Sequence, residues 1–462
     1  MGRAAGDASG DGVKDEEDTV PAAGCATDPR RGSAPTGAVL SWRRFHPRFA
    51  VRNERRPALI FIFITVVLDV LAMGVMLPVL PELIKEFMGG NTARAAEIFG
   101  IFGTVWAAMQ FVFSPVMGVL SDRFGRRPVI LISNFALGFD YLLMAVSPTL
   151  AWLLLGRVVS GIAGASTAPA SAYIADTMPP EKRAHGFGMI GAAWGLGFVL
   201  GPAVGGILGS IGLRLPFYVA AALTILNGIY GIFVLPESLK PEHRRPLDFK
   251  RASPVGSLKL LRSHAELWGL AVVSFLYNTA HQVLPAVYVL YVGYRYGWGE
   301  RTIGLTLAGV GLATAIVQGG LVRPVVARIG QRKSLMLGLA GGAVGLVFFG
   351  LAATPFVFWI GIIISSTMGF YGPASQGLMT RRVSASDQGM LQGANSSIKG
   401  ITGMIGPALF AWIFAEFIGP ERSFHVPGAP FLVAAASLIV GMVVAWRATR
   451  PDQEPVAAAD AA

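Results

Sequence analysis

Long apolar stretches separated by short polar loops run along most of this chain. The first stretch begins at Leu59 and the last ends at Trp446. A helix needs roughly 20 apolar residues to cross about 30 Å of hydrocarbon, and stretches of this length predict membrane-spanning helices. The pattern predicts twelve spans: 58–80, 96–118, 129–147, 151–175, 187–210, 215–235, 267–292, 302–324, 334–352, 355–379, 388–416 and 428–447.

Polar segments divide the predicted spans into five parts. Residues 1–57 hold no long apolar run, which predicts a disordered N-terminal tail. No apolar core follows its charges, so it is not a secretory signal. Residues 58–235 form a first six-helix bundle, 236–266 a polar linker, 267–447 a second six-helix bundle, and 448–462 a C-terminal tail.

Composition supports a membrane protein and excludes several other classes. Charged residues make up 14% of the 462 residues, and 53% are hydrophobic; soluble proteins carry about 25% charged residues. The net charge of +11 does not indicate nucleic-acid binding, because nucleic-acid binders lack this hydropathy. The only cysteine, Cys25, lies in the tail, which excludes disulfides and cysteine-rich metal sites. The sequence contains no phosphate loop, metal cluster or nucleophile constellation, so we expect neither an enzyme nor a cofactor.

The distribution of lysine and arginine predicts the orientation. Of the 38, all but eight lie in the tails and in loops on one side. The positive-inside rule places that side, with both termini, in the cytoplasm. The basic stretch WRRFHPRFAVRNERR before the first span is expected to rest on anionic lipid headgroups. The eight exceptions are Lys85, Arg94, Arg214, Arg295, Arg301 and Arg422 in outer loops, and Arg157 and Lys399 within spans.

The two halves of the chain repeat each other. DRFGRRPVIL at 122–131 matches ARIGQRKSLM at 327–336, PAS at 169–171 matches PAS at 373–375, and two Gly-Pro pairs also match, all at offsets of 204 or 205 residues. Two parallel six-helix repeats are the arrangement of the major facilitator superfamily, in which substrate binds between the halves near the midplane. The predicted fold class is therefore an all-α polytopic membrane protein with the major facilitator fold.

The loop after the second span combines charges with glycines. One acidic residue stands among three arginines, and such a cluster can hold neighbouring helix ends together in one state and release them in another. The alternative is a solvated positive-inside loop. The loop resembles the superfamily's signature loop, which implies a gating role for Gly118, Asp122, Arg123, Gly125, Arg126 and Arg127, with Asp176 at the end of span 4.

The fifth span, GLGFVLGPAVGGILG, carries glycines on one helix face. Gly197, Gly201 and Gly205 recur every four residues, and Gly206 and Pro202 lie among them. Small residues let helices approach closely in lipid, which by itself accounts for the pattern. It also resembles the antiporter motif of drug-efflux proteins, which favours export.

Charged residues within the first half are candidates for coupling to protons. Asp69 near the centre of span 1 and Asp140 in span 3 can bind a proton on one side and release it on the other; the alternative is a static carboxyl group. Arg157 in span 4 is deep enough to line a cavity, and the alternative is an arginine that extends to the headgroups. Asp140 could instead simply neutralise Arg157.

The second half adds further candidates. His281 could carry a proton, because the ordinary pKa of histidine lies near neutrality; the alternative is a hydrogen-bonding helix contact. Lys399 could bind an anionic substrate group or pair with Asp69. The remaining polar candidates could line the same cavity or hold helices together; they are Gln110, Tyr277, Asn278, Gln282, Gln318, Tyr371, Gln376 and Asn395.

Several motifs resemble the tetracycline-efflux branch of the drug:proton antiporters. They include LDVLAMGVMLPVLPELI, MQFVFSPVMGVLSDRFGRRPV, FDYLLMA, GPAVGGILG, LPES and QGMLQG, and the resemblance runs from about residue 58 to 447. It implies that Asp69, Asp140 and Asp122 matter for transport. This chain departs from the family at two positions tied to proton coupling, where Thr314 and Gly342 replace a histidine and an aspartate, and Lys399 has no cationic counterpart.

The leading hypothesis is a secondary transporter of a bacterial inner membrane, which exports small amphipathic organic compounds such as antibiotics in exchange for protons. We expect a monomer whose partners are the substrate, protons and the bilayer, without a metal. The alternative is a uniporter or importer of a metabolite or organic anion, favoured by Lys399 and by the missing carboxylate of the second half. A non-transporting receptor is a third class, and the gating loop argues against it.

Overall fold

A computed structural model describes residues 55–165, 167–178, 180–244, 246–247, 256–262, 265–384, 387–419 and 425–449. The tail up to residue 54, with Cys25 and most of the basic stretch, lies outside these residues. Parts of the predicted linker, Arg422 and the C-terminal tail from residue 450 also lie outside them. The first helix begins at Arg55, three residues before the predicted first span.

Helices form nearly all of the part of the chain that the structure describes, and no strand occurs in it. The α-helices are α1 Arg55–Met76, α2 Leu80–Phe87, α3 Thr92–Phe124, α4 Arg126–Val146, α5 Leu150–Gly164, α6 Thr167–Thr177, α7 Pro180–Gly209, α8 Leu215–Val234, α9 Ala265–His281, α10 Val283–Tyr296, α11 Glu300–Ile316, α12 Val322–Leu351, α13 Pro355–Ser365, α14 Tyr371–Thr380, α15 Gln388–Ile418 and α16 Ala429–Ala448. A π-helical turn, Val317–Leu321, joins α11 to α12, and a 3-10 turn, Ser366–Phe370, joins α13 to α14.

Within the described residues, 11 segments are long and apolar enough to cross a membrane. Ten of them each overlap one predicted span, and the eleventh, Glu300–Leu351, covers two. At about 1.5 Å per residue, its 52 residues would exceed twice the thickness of the hydrocarbon core. Gly330 interrupts it with φ 78° and ψ 166°, between the predicted spans 302–324 and 334–352. The total of twelve spans stays a prediction.

Gly330 and Gly125 share an unusual backbone conformation. Gly125, which separates α3 from α4, has φ 104° and ψ 157°. Only glycine adopts this region readily, because a Cβ would collide with the backbone. The sequence repeat pairs these two glycines, and the structure gives them the same role of ending one helix and redirecting the chain.

The helices pack mainly within each half of the chain. In the first half α1 packs on α7 and α8, and α4 packs on α5 and α8. In the second half α16 packs on α9 and α12, and α15 packs on α9 and α10. Two extensive contacts join the halves, α3 with α15 and α7 with α11. These two helix pairs therefore determine how the halves meet.

The halves touch at one end of the helices, which we call the Arg214 end. Arg214 there donates hydrogen bonds to the carbonyl oxygens of Ala145 and Ser147, both at 2.9 Å. Near this end a Cβ placed on Gly206 would lie 2.8 Å from Cα of Gly304 across the contact between α7 and α11. Backbone contact this close leaves no room for substrate to pass between α7 and α11.

Toward the opposite end, which carries the loop around Asp122, four glycines lack such a close contact. A Cβ on Gly191 or Gly195 of α7, or on Gly319 or Gly320 of the π-helical turn, would meet no atom of the described chain within 4 Å. These glycines lie on the same two helical segments that are in contact at the Arg214 end. The close contact between the halves is therefore absent at these glycines, and we infer that the space between the halves opens toward what we call the Asp122 end.

Candidate functional site

A large cavity of about 780 Å³ lies between the halves. Helices α1 and α3 of the first half face α10 and α15 of the second across it. Its wall is mostly apolar, and on α3 the lining residues follow helical spacing through Phe99, Phe102, Trp106 and Gln110. A cavity with an apolar wall and few polar groups is typical of a site for a small organic molecule.

A smaller cavity of about 310 Å³ adjoins the first on the side of the second half. Lys399 and Ser396 line both, so the two cavities meet at this part of α15. We call the larger one the apolar cavity and the smaller one the polar chamber. Residues lining the polar chamber include Tyr277, Asn278, His281, Gln318, Tyr371, Gln376, Gln392 and Asn395.

Irregular helix geometry surrounds the polar chamber. Gln318 belongs to the π-helical turn between α11 and α12, and Met368 and Gly369 belong to the 3-10 turn between α13 and α14. The break between α9 and α10 falls at Gln282, beside His281. Short π and 3-10 segments inside longer helices are frequent at functional sites, and transporters often bind substrate where a spanning helix is broken.

Stacked tyrosines and hydrogen bonds order the polar chamber. The rings of Tyr277 and Tyr371 stack with centroids 3.6 Å apart. The Tyr371 hydroxyl donates to Ser274 Oγ at 2.8 Å. Asn395 donates to Gln376 Oε1 at 3.1 Å. These contacts hold the wall in place, so the chamber is largely formed before a ligand enters.

All ten predicted substrate-cavity residues line one of the two cavities. Gln110, Arg157 and Gln282 line the apolar cavity, and Lys399 lines both. The other six line the polar chamber. The structure thus brings together side chains that lie on α3, α5, α9, α14 and α15 and in the π-helical turn.

Arg157 is buried, with 5% of its surface exposed, and does not extend to the headgroups as one alternative had it. Its guanidinium group contacts the sulfur atoms of Met76 and Met144 at 3.4 and 3.3 Å. Asp140 is buried on the neighbouring helix, and neither of its oxygens has a hydrogen-bond partner. Among the described residues no contact within ion-pair distance joins the two, but their charges interact, so neutralisation of Arg157 by Asp140 stays a prediction.

Asp69 lies behind the cavities and lines neither of them. Its carboxylate accepts a hydrogen bond from Asn227 of α8 at 3.0 Å, and Asn227 also donates to the carbonyl oxygen of Thr65. The alternative of an interdomain pair between Asp69 and Lys399 is wrong for this conformation, because no such pair occurs in the described chain. Of the three proton-coupling candidates, only His281 lines a cavity.

The predicted gating residues form a charge cluster at the Asp122 end. Arg126 pairs with Asp122, and its Nε donates to Asp176 at 3.1 Å. Its backbone N–H donates to Glu237 at 2.9 Å, in the LPES segment after α8. Arg127 donates to the carbonyl oxygen of Ile232, whereas Arg123 is exposed. The cluster joins the ends of α3, α4, α6 and α8 within the first half.

The predicted glycine motif of α7 faces two helices. Gly197 and Gly201 lie against α1, where a Cβ on Gly201 would be 2.7 Å from Cα of Gly74. Gly205 contacts α1 in the same way, whereas Pro202 and Gly206 lie against Gly304 of α11 in the second half. The motif therefore contributes both to packing within the first half and to the contact between halves.

The two departures from the efflux pattern have structural consequences. Thr314 donates a hydrogen bond to the carbonyl oxygen of Val310 within its own helix. A Cβ on Gly342 would lie 2.6 Å from Cγ of Met368, so an aspartate there would require the Met368 side chain to move. Neither position offers an ionisable group, and among the described residues no aspartate or glutamate lines either cavity.

Sequence reasoning missed the apolar wall and one member of the charge cluster. Phe99, Phe102 and Trp106 precede Gln110 at helical spacing, and this periodicity could have indicated a cavity face. Glu237 lies 111 residues from Arg126 along the chain, so nothing local to the signature loop indicated their contact.

Comparison with known proteins agrees with this architecture. The Major Facilitator Superfamily family model matches residues 62–327 and 283–462. The chain is 38% identical over 383 residues to the tetracycline resistance protein, class C, of Escherichia coli, covering 83% of this chain and 95% of that protein. It is 26% identical over 455 residues to the human hippocampus abundant transcript-like protein 1, covering 94% and 87%.

Solved structures share the fold at low identity. The human organic anion transporter MFSD10 superimposes with a TM-score of 0.64 at 23% identity, covering 85% of this chain and 100% of that one. The nucleoside transporter NupG superimposes with a TM-score of 0.67 at 13% identity, covering 86% of this chain and 99% of that one. At these identities the likeness concerns the fold alone.

Proposed function

The chain belongs to the major facilitator superfamily, in its tetracycline-efflux-like branch, and we propose that it exports small amphipathic organic compounds in exchange for protons. The transporter is a monomer in a bacterial inner membrane with both termini in the cytoplasm. Residues 58–235 and 267–447 act as the two bundles that rock against each other. The identity to tetracycline resistance proteins supports export, and the apolar wall supports amphipathic substrates.

The observation that carries the proposal is the cavity between the halves, which is closed at the Arg214 end and open at the Asp122 end. With cytoplasmic termini, the Asp122 end faces the cytoplasm, and the conformation is ready to load a compound from inside the cell. Export then requires the contacts between α7 and α11 to separate while the Asp122 end closes. Such rocking around a midplane site is the general transport mechanism of this architecture.

Proton coupling is assigned to carboxylates of the first half. Asp69 and Asp140 are the intramembrane carboxylates, and ionisable groups inside the membrane are usually functional because they are costly there. Asp140 interacts electrostatically with Arg157, which lines the apolar cavity. A change in protonation at Asp140 therefore changes the electrostatic environment of a substrate beside Arg157. Asp69 and its partner Asn227 lie between α1 and α8 and respond to movements of α1.

The charge cluster at the Asp122 end is assigned to gating. Arg126 joins carboxylates from α3 and α6 and the segment after α8, so it keeps the helix ends of the first half together as one body. A solvated loop alone would not place Arg126 with 8% of its surface exposed between two carboxylates. The cluster therefore supports movement of the first half as a rigid unit.

The alternative function is a uniporter or importer of a metabolite or organic anion. The cations at the cavities favour it, as do Thr314 and Gly342 at the positions where the efflux pattern has ionisable residues. The glycine motif of α7 and the identity to tetracycline resistance proteins favour export.

The two functions are separated by proton movement in inverted membrane vesicles. The vesicles carry the wild type, Asp69→Asn, or the control Glu86→Gln, which changes an exposed carboxylate of α2 outside both cavities. A proton gradient, acidic inside, is imposed and followed with a pH-sensitive dye while a panel of drugs is added. We expect substrate-dependent proton release in the wild type and in Glu86→Gln, and none in Asp69→Asn.

One outcome would change the residue that is assigned to coupling, and another would contradict the proposal. Drug-dependent proton release that persists in Asp69→Asn would remove Asp69 from the coupling mechanism and leave Asp140 to be tested in the same way. No drug-dependent proton movement with correctly inserted wild type would contradict antiport and favour the uniporter or importer.

A further inference from the structure

We propose that the substrate is an amphipathic anion, whose apolar body occupies the apolar cavity and whose anionic head enters the polar chamber beside Lys399. The inference rests on the proposed transport function and specifies its substrate class. It depends on three observations: the sign of the charge at the cavities, the division of the site into two compartments, and the irregular helices around the smaller one.

The charge at the cavities has one sign. The basic side chains that line them are Arg157, Lys399 and His281. No carboxylate of the described chain lines either cavity. A cavity lined by one sign of charge within low-dielectric walls concentrates ligands of the opposite sign.

Lys399 occupies the place where the two compartments meet. It lies on α15, lines both cavities, and is exposed to them. In the described chain no carboxylate lies within ion-pair distance of its ammonium group. A cation exposed in a cavity within low-dielectric walls attracts anions, and Lys399 gains a partner when an anion binds.

The two compartments differ in chemistry as the two ends of an amphipath do. The larger is walled by Met73, Phe99, Phe102 and Trp106, which suit an apolar or aromatic body. The smaller is walled by amides and hydroxyls, including Asn278, Gln318, Gln376 and Asn395. Amide N–H groups donate hydrogen bonds to carboxylate or sulfonate oxygens, so they can solvate an anionic head next to Lys399.

The small volume and ordered wall of the polar chamber favour a compact head group. Its volume is about 310 Å³ against about 780 Å³ for the apolar cavity. The Tyr371 ring stacks on Tyr277, and its hydroxyl donates a hydrogen bond to Ser274, which fixes the position of the stack. A preformed polar wall costs little to organise on binding, which favours affinity for the ligand that matches it.

Binding of three matched probes to the full chain tests the inference. The chain is reconstituted in nanodiscs of zwitterionic phosphatidylcholine, which carry no net charge, and binding is measured by equilibrium dialysis against empty nanodiscs. The probes share one apolar body: naphthalene-2-sulfonate, the neutral naphthalene-2-sulfonamide and the cationic 2-naphthylmethylammonium. We expect the sulfonate to bind at least about tenfold more tightly than the sulfonamide, and the ammonium probe to bind most weakly.

Variants test whether Lys399 causes the preference for the sulfonate over the sulfonamide. Lys399→Gln should weaken sulfonate binding about tenfold or more and leave sulfonamide binding unchanged. Lys399→Arg should keep the preference, because it keeps the charge. The control Lys85→Gln removes a lysine that pairs with Glu82 at 3.1 Å and lines neither cavity, and it should change nothing.

One result that would overturn the inference needs only the wild type, and a second needs a folded variant. Equal binding of sulfonate and sulfonamide by the wild type would overturn it, as would a sulfonate preference that survives in folded Lys399→Gln. If the ammonium probe drove proton release in the inverted vesicles and the sulfonate were not preferred in binding, export by antiport would be supported and the anionic substrate class would be overturned. If sulfonate binding depended on Lys399 but no proton movement were seen in the vesicles, the anionic substrate class would be supported and antiport would be contradicted.

Discussion

Replacing Gly206 with alanine tests whether the contact between α7 and α11 keeps the Arg214 end closed. The new Cβ would overlap the carbonyl oxygen of Glu300 and lie 2.8 Å from Cα of Gly304; ordinary Cβ contacts begin at 3.4 Å, so the helices must separate by at least about 0.6 Å. Overpacking of this kind typically costs about 1–3 kcal/mol. If only the closed conformation bears that cost, the ratio of open to closed molecules at this end rises about 5- to 150-fold.

The assay is a pulsed electron paramagnetic resonance measurement of the distance between two spin labels at this end. One label replaces Ile211, in the exposed loop after α7, and the other replaces Arg301, exposed near the start of α11. Cys25, the only native cysteine, is changed to serine so that labelling is specific. Gly206→Ala should increase the population with the longer distance.

The matched control is Gly309→Ala, in the middle of α11, the helix that contacts α7. A Cβ on Gly309 meets no described atom within 4 Å, so the control adds a methyl group without overpacking. The cost at Gly206 must appear either in the distance distribution or in the stability of the fold. If Gly206→Ala left both the distance distribution and the thermal midpoint unchanged, this contact would not be what keeps the Arg214 end closed.

Two further predictions concern stability in detergent. Arg382→Gln removes the cation that pairs with Glu266, whose surface is 7% exposed, and should lower the free energy of unfolding by about 3–5 kcal/mol, seen as a lower thermal midpoint; a change below about 1 kcal/mol would show that the pair behaves as a surface pair. Gly125→Ala should lower the midpoint more than Gly330→Ala. Both glycines have positive φ and share the backbone cost of about 1–3 kcal/mol, but only at Gly125 does a Cβ also meet a carboxyl carbon, at 2.9 Å. Equal decreases would contradict the added contact.

The hydrophobic pattern predicted the spanning segments because the bilayer itself imposes their length and polarity. The short helix Leu80–Phe87 was missed for the same reason, since it continues an apolar stretch beyond the length that a span requires. The repeat of the two halves also carried structural information, because Gly125 and Gly330 were matched by sequence and adopt the same backbone region. Local backbone rules of this kind act on a few neighbouring residues and are therefore readable from the chain.

Polarity within a span predicted which residues face the cavities but not which ones belong together. Asn278, Gln376 and Lys399 are unusual residues for hydrocarbon, so their position beside an interior cavity rather than lipid followed from cost alone. Their grouping around one chamber depends on how α9, α14 and α15 cross. The hydrogen-bond partner of Asp69 likewise could not be predicted from the sequence, because Asn227 is 158 residues away along the chain.

The class of molecule, the approximate spans, the repeat and the residues that could do chemistry in a membrane are all readable from the order of the amino acids. These properties depend on the cost of placing each residue in lipid and on the length of a helix. The packed helices were needed to show that the interior divides into an apolar cavity and a polar chamber, that cations line both without a carboxylate of the described chain, and that the Arg214 end is closed. Those properties depend on contacts between helices far apart in the chain, such as Gly206 with Gly304, whose distances are decided by the packing of all the helices together.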